Sequence, residues 1–159
     1  MIWYPADIKA QNCTYEVNLV DPSTGAVVKR TSDVAIGKLN RQPFYVKTQC
    51  IGKNKYLKIR YYCYDNFFIS DKHPMKLTFM DDTSIDLIPR SNDDQQESIN
   101  ISKISTMLIY FIDENQLNKM MSEPIKKIEF QSSQGDFVDF DVRERFRSTI
   151  QQLLDCVKI

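Results

Sequence analysis

The chain has 159 residues, 42% of them hydrophobic and 26% charged, a composition that suits one globular domain with a core of its own. Lys plus Arg and Asp plus Glu each number 21, so no net field draws the chain toward nucleic acid or an anionic membrane. No apolar run reaches the ~18 residues a membrane helix needs, and at this length folding buries roughly 70% of the unfolded surface without help from a disulfide or metal.

The first segment, residues 1–11, begins "MIWYPADIKA" and has neither a basic start nor an apolar stretch, so it does not read as an intact signal peptide. It is expected to be a loosely ordered lead into a single domain spanning 1–159, with Trp3 and Tyr4 available to pack on its surface. As it stands the sequence reads as cytoplasmic, or as periplasmic or exported if a leader has been removed.

Residues 13–20, "CTYEVNLV", alternate, with Tyr15, Val17 and Leu19 on one face and Glu16 and Asn18 on the other, as a half-buried strand does. "DPSTG" then turns the chain, and "AVVKRTSDVAI" predicts a second strand completing a hairpin. Gly37 and Pro43 bracket a short loop. Beyond it, Phe44, Val46, Thr48 and Cys50 share one face of a strand, with Tyr45, Lys47 and Gln49 on the other.

The run "LKIRYYCYDNFF" holds Tyr61, Tyr62, Tyr64, Phe67 and Phe68. At period two, Leu57, Ile59, Tyr61 and Cys63 form a core face, and Lys58, Arg60, Tyr62 and Tyr64 form the opposite, solvent-facing one. Phe67 and Phe68 anchor the loop that follows. "MKLTFMDDTSIDLIP" predicts a further hairpin, with Leu77 and Phe79 facing Ile85 and Leu87 across a turn at Asp81 and Asp82. Residues 90–98 carry no periodicity and read as a solvated loop, while "ISTMLIYFI" is apolar on both faces and predicts a central strand.

Asp113 as cap with Gln116 three residues on predicts a short helix near 114–121, stopped by Pro124. Strands "IKKIEF" and "DFVDFDV" follow. Asp141 with Glu144, then Phe146, Ile150, Leu153, Leu154 and Val157, predict an amphipathic helix near 142–157 lying on the sheet. The fold class is therefore α+β, mostly antiparallel, with about eight strands in hairpins.

The cysteines are Cys13, Cys50, Cys63 and Cys156, without CxxC spacing and with His73 the single histidine, so a zinc site would need four distant segments. In a 44–50/56–63 hairpin, Cys50 falls opposite about Leu57 and Cys63 opposite about Phe44, too far apart for a bridge. Buried free thiols are the expectation.

The segment from about residue 55 to 157 resembles a group of small uncharacterised bacterial proteins of the kind common in Bacteroidetes. The residues that carry the likeness are Tyr110, Ile112, Gln116, Leu117 and Met120, then Ile125, Lys127 and Ile128. They correspond to a "Y-x-I-x-x-x-Q-L-x-x-L" segment followed by an "I-x-K-I" strand and a terminal helix on a β-rich body. Such proteins often begin with an export signal. The resemblance implies a fold but no reaction and no catalytic residue.

His73 in "SDKHP" neighbours Ser70 and Asp71, but groups adjacent in one loop rarely converge as a catalytic triad, and a solvated loop histidine is expected. The sequence holds no G-x-S-x-G, H-E-x-x-H, P-loop or G-x-G-x-x-G. The acidic groups Asp81-Asp82-Asp86, Asp93-Asp94-Glu97 and Asp136-Asp139-Asp141 do not follow a calcium-loop pattern. The expectation is a non-catalytic binding module with no cofactor and no metal. Its ligand is a protein, peptide or carbohydrate held on the face formed by Lys58, Arg60, Tyr62 and Tyr64, since tyrosine and arginine are enriched at binding hot spots. The alternatives are a small hydrolase-type enzyme with an unrecognised site and a purely structural component. Exposure of Tyr62 and Tyr64 discriminates among them.

Overall fold

Period-two alternation becomes eleven antiparallel strands in two sheets in a computed structural model that describes residues 12–39, 41–63, 69–90, 96–100 and 103–158. The larger sheet holds β1 (Tyr15–Val20), β2 (Val27–Thr31), β3 (Val34–Leu39), β4 (Gln42–Ile51), β5 (Asn54–Cys63), β8 (Gln96–Asn100) and β9 (Lys103–Ile112). Its order is β1-β2-β4-β5-β9-β8, with β3 also paired to β4. The smaller sheet holds β6 (Met75–Phe79), β7 (Ser84–Leu87), β10 (Ile125–Gln131) and β11 (Phe137–Asp141), in the order β11-β10-β6-β7. Two helices, α1 (Glu114–Ser122) and α2 (Thr149–Cys156), complete this α+β domain.

The one strand expected over "AVVKRTSDVAI" is two. The ten-residue β4 is longer than either partner, so β2 pairs with its Gln49–Ile51 end and β3 with its Gln42–Val46 end, Ser32 and Asp33 carrying the chain between them. The β4–β5 hairpin turns tightly at Gly52 and Lys53, with Ile51 opposite Asn54 and Phe44 opposite Tyr61. Gly52 takes a left-handed φ of 57°, as the first residue of a two-residue hairpin loop can when it is glycine. This tighter turn sets Cys50 opposite Lys55 rather than Leu57, a shift of two that leaves every side chain on its expected face. Gln96–Ser98, read as loop from their polarity, belong to β8, an edge strand that polar residues tolerate.

α1 starts as expected. Asp113 accepts from the Gln116 amide at 2.8 Å, and Gln116 Oε1 accepts from the Asp113 amide at 3.0 Å, a reciprocal capping box. The C-terminal helix is shorter than expected. Asp141 stays in β11 opposite Lys127, and the Val142 amide donates to the Lys126 carbonyl at 2.9 Å, so the β ladder holds the residues that would have begun the helix. A 3-10 turn at Glu144–Phe146 follows, and α2 begins only at Thr149.

The core lies between the sheets. Phe44, Val46, Leu57, Ile59 and Tyr61 of the larger sheet meet Leu77, Phe79, Ile128, Phe130 and Phe140 of the smaller one. Phe44 stacks on Phe130 with ring centroids 6.1 Å apart and tilts against Phe140 at 5.2 Å. Each such buried side chain contributes about 1.5–3 kcal/mol. α2 closes one end through Ile150, Leu153 and Leu154, and the Thr48 hydroxyl, on the core face of β4, donates to the Leu153 carbonyl at 2.6 Å.

Two of the cysteines expected as free thiols are joined. Cys13 and Cys156 form a disulfide with Cα atoms 5.6 Å apart. They are 143 residues apart in sequence, and no spacing rule reads a pairing that depends on where the two ends of the domain come to rest. Those ends meet because the Tyr15 hydroxyl donates to the Cys156 carbonyl at 2.6 Å, while Lys55 and Lys29 donate to the carbonyls of Val157 and Lys158. The lysines take carbonyls that the end of α2 leaves without helical partners. Cys50 is free and buried. The side chain of Cys63, with Trp3, Tyr4, Tyr64, Phe67, Phe68, Asp93 and Asp94, lies outside the described residues.

Candidate functional site

Three of the four expected site residues lie together on the outer face of the larger sheet. Lys58, Arg60 and Tyr62 alternate along β5 with the buried Leu57, Ile59 and Tyr61. All three are half-buried rather than open to solvent. The fourth, Tyr64, lies outside the described residues. Tyr62 meets Tyr45 edge to face with centroids 6.0 Å apart, because Tyr45 projects from the neighbouring β4 on the same face. A second aromatic pair, Tyr56 and Phe111, sits across the β5–β9 ladder at 5.9 Å, and the Arg90 guanidinium lies 5.7 Å from the Tyr56 ring centre. Phe111 is 44% exposed.

Between the aromatic pairs runs a network of charge. Lys47, directly opposite Lys58, is only 3% exposed. Its ammonium reaches Glu16 at 3.0 Å and Asp33 at 3.4 Å. Arg30 joins Glu16 at 2.9 Å and Arg60 faces Asp33 at 3.7 Å. Burial pushes the Glu16 carboxyl up, but hydrogen bonds from Lys47 and Arg30 outweigh it and hold the group below its ordinary value. Four cations, Arg30, Lys47, Lys58 and Arg60, thus share two carboxylates, and the carboxylates are oriented toward the other three rather than toward Lys58.

Lys58 is left with a lysine across one ladder and Ile109 across the other. No described carboxylate lies within salt-bridge distance of it. Desolvation, followed by the like charges of Arg30 and Lys47, pulls its ammonium down from 10.5 to about 8, with Glu16 opposing and Arg90 adding. Like charges directly opposite on a sheet are destabilising, so this pair persists at a cost the surrounding carboxylates only partly offset. An anion placed at Lys58 would gain a charge-assisted hydrogen bond and remove that repulsion.

Among the described residues the other sequence candidates do not assemble, and the side chains of Asp93, Asp94 and Glu97 lie outside them. His73 is exposed, its Nδ1 2.9 Å from the Ser70 hydroxyl, and no hydrogen bond among the described residues joins it to Asp71. Asp81 binds Lys119 at 2.5 Å and accepts from Thr83, and these contacts hold its carboxyl down at about 2. Asp82 pairs with Lys126 and Asp139 with Lys127. Among the described residues no three His, Cys, Asp or Glu side chains meet as a metal site would require.

No family model, no curated protein and no solved structure matches this chain. The residues that sequence reasoning missed are Glu16, Arg30, Asp33 and Lys47. Alternation already placed Lys47 on the Tyr45 face and Glu16 on the polar face of its strand. Carrying the hairpin pairing through to β2 would have joined them to Lys58 and Arg60.

Proposed function

We propose that the protein is a non-catalytic binding module whose outer sheet face captures an anionic group of a protein, peptide or carbohydrate. The observation that carries this reading is Lys58, a half-buried cation set opposite a second lysine with no carboxylate of its own among the described residues. Tyr45, Tyr62 and Phe111 supply apolar area around it, in the combination of aromatic and basic side chains enriched at recognition sites. The buried Lys47, held between Glu16 and Asp33, fixes the geometry and is not available to a ligand. The Cys13–Cys156 bridge supports a place in an oxidising compartment, since cytosolic thiols are kept reduced.

The test uses poly-L-glutamate and neutral dextran as probes in titration calorimetry against the wild type, Lys58→Ala and Tyr62→Ala. Saturable binding of the polyanion, weakened about tenfold or more by Lys58→Ala with the fold intact, supports the reading. Binding that ignores Lys58→Ala, or no binding by the wild type at low salt, defeats it.

A further inference from the structure

β11 is an edge strand whose hydrogen-bonding rows can be assigned. At one end of its hairpin the Ser132 amide donates to the Asp136 carbonyl at 2.7 Å, and at the other the Val142 amide donates to the Lys126 carbonyl at 2.9 Å. The register between them sets Val138 opposite Phe130 and Phe140 opposite Ile128. Hydrogen-bonded pairs alternate along an antiparallel ladder. Val138 and Phe140 therefore turn their backbone groups toward β10. Phe137, Asp139 and Asp141 turn their N–H and C=O groups away from it. Among the described residues no strand pairs with that outer row.

The row opens onto a cleft of about 640 Å³ between β11 and β3, which among the described residues is itself paired on the β4 side alone. Ile36, Pro43, Phe140 and Phe146 give the cleft apolar patches, set among the charged Lys38, Asp139, Asp141, Arg143 and Arg145. Gly37 makes the close approach of the two sheets possible. Its φ is 151°, and a Cβ there would lie 2.5 Å from the Phe140 ring. Phe137, at the mouth of the row, is 79% exposed. A row of backbone groups left unpaired among the described residues, beside a trough that mixes apolar and charged side chains, is what strand addition uses: main-chain bonds give affinity and alternate side chains give specificity.

We propose that this cleft is a strand-acceptor site, in which an extended peptide segment of a partner protein adds to β11. Residues alternating along that segment and pointing inward are apolar, to meet Pro43 and Phe146. One outward residue, opposite Asp139 or Asp141, is basic, while Lys38, Arg143 and Arg145 around the same cleft favour neutral or acidic residues elsewhere. A second copy of this chain is the poorer occupant. Antiparallel self-pairing centred on the row sets Asp139 against Asp139, and like charges directly opposite are destabilising. The proposal is independent of the sheet face that carries Lys58.

The site is tested by selecting a phage-displayed random peptide library on the wild-type protein and measuring the best synthetic peptide against the wild type, Asp139→Ala and Asp139→Pro. Both variants lose the carboxylate that pairs with Lys127, so relative to Asp139→Ala the proline removes an outward N–H and leaves the ladder to β10 in place. The expected result is an enriched alternating apolar peptide that keeps its affinity within about threefold in Asp139→Ala and loses about tenfold or more in Asp139→Pro. Backbone amide exchange read by NMR on the wild type covers the case in which the proline variant fails to fold. The amides of Asp139 and Asp141 exchange fast in the free protein and are protected by the peptide, while those of Val138 and Phe140 are protected in both. Failure to enrich any such peptide, an affinity indifferent to the proline, unchanged exchange at Asp139, or dimerisation through β11 in its place each overturns the proposal.

Discussion

Cutting the covalent link between the two ends of the domain tests how the chain is held. Cys13→Ser is the cleaner cut, since Cys13 is half-buried whereas Cys156 is 7% exposed and part of the packed end of α2. The bridge spans 143 residues, and the loop-closure relation for that length gives about 5 kcal/mol at 25 °C, all of it from constraining the unfolded chain. Measured losses for native disulfides run at about 2–5 kcal/mol, which is a large share of an ordinary domain stability of about 5–15 kcal/mol. The folded state keeps its other ties at this end, through Tyr15 to the Cys156 carbonyl and Lys55 to that of Val157, so the variant still folds. Urea unfolding followed by circular dichroism gives the magnitude. The expected result is a midpoint that falls in Cys13→Ser and falls equally in wild type treated with reductant, with a steeper denaturant slope because the uncrosslinked chain exposes more surface. A non-reducing peptide map links the peptides carrying Cys13 and Cys156. If reductant leaves the wild-type midpoint where it was, or the map shows those peptides unlinked, the account of how the ends are joined is wrong.

Other expected outcomes follow from single contacts. Gly37→Ala drives a methyl into the Phe140 ring at a φ that side chains rarely adopt, and should lower unfolding free energy by about 1–3 kcal/mol in the same urea assay. Asp113→Ala removes one half of the α1 capping box and should cost about 1 kcal/mol, visible as a lower thermal midpoint. Lys47→Met removes the cation between Glu16 and Asp33 and leaves the exposed Glu16 and the half-buried Asp33 carboxylates facing Arg30 and Arg60. Stability of that variant should fall more steeply than that of the wild type as salt is raised, because exposed pairs are screened more than buried ones.

Local signals carried much of this architecture. Alternation around Phe44–Cys50 and Leu57–Cys63 set the two faces of the central hairpin, and a register error of two residues did not change them because the side-chain period is also two. The Asp113–Gln116 pair marked the start of α1, since a capping box is complete within four residues of sequence. The features that stayed hidden are those that depend on distant segments. Asp141 has the chemistry of a helix cap, yet pairing with Lys127 in β10 keeps it in a strand, and tertiary context overrides the local preference. The Cys13–Cys156 bridge depends on the start of the first strand meeting the end of the last helix. The charge of the candidate site was hidden in the same way. Over the whole chain the totals cancel at 21 each, so the run of seven basic residues and no acidic one between 34 and 64 does not show in the net charge. Only strand pairing gathers Arg30, Lys47, Lys58 and Arg60 onto one face with two carboxylates among them.

The most direct test of the central claim is the pH dependence of polyanion binding at Lys58. The lysine is held at about 8 in the free protein, below its unfolded value, and an anion favours the charged form, so binding is strongest below that value and is lost as pH rises through it. Between pH 7 and pH 9 the charged fraction of a group with that pKa falls about tenfold. Dissociation constants for poly-L-glutamate should therefore rise about tenfold over this range for the wild type. Lys58→Arg, which stays charged, should bind about equally at both pH values, and Lys58→Ala should bind weakly at both. A wild-type affinity that is the same at pH 7 and pH 9, or a pH dependence that survives in Lys58→Arg, would contradict the assignment of this face as the binding site.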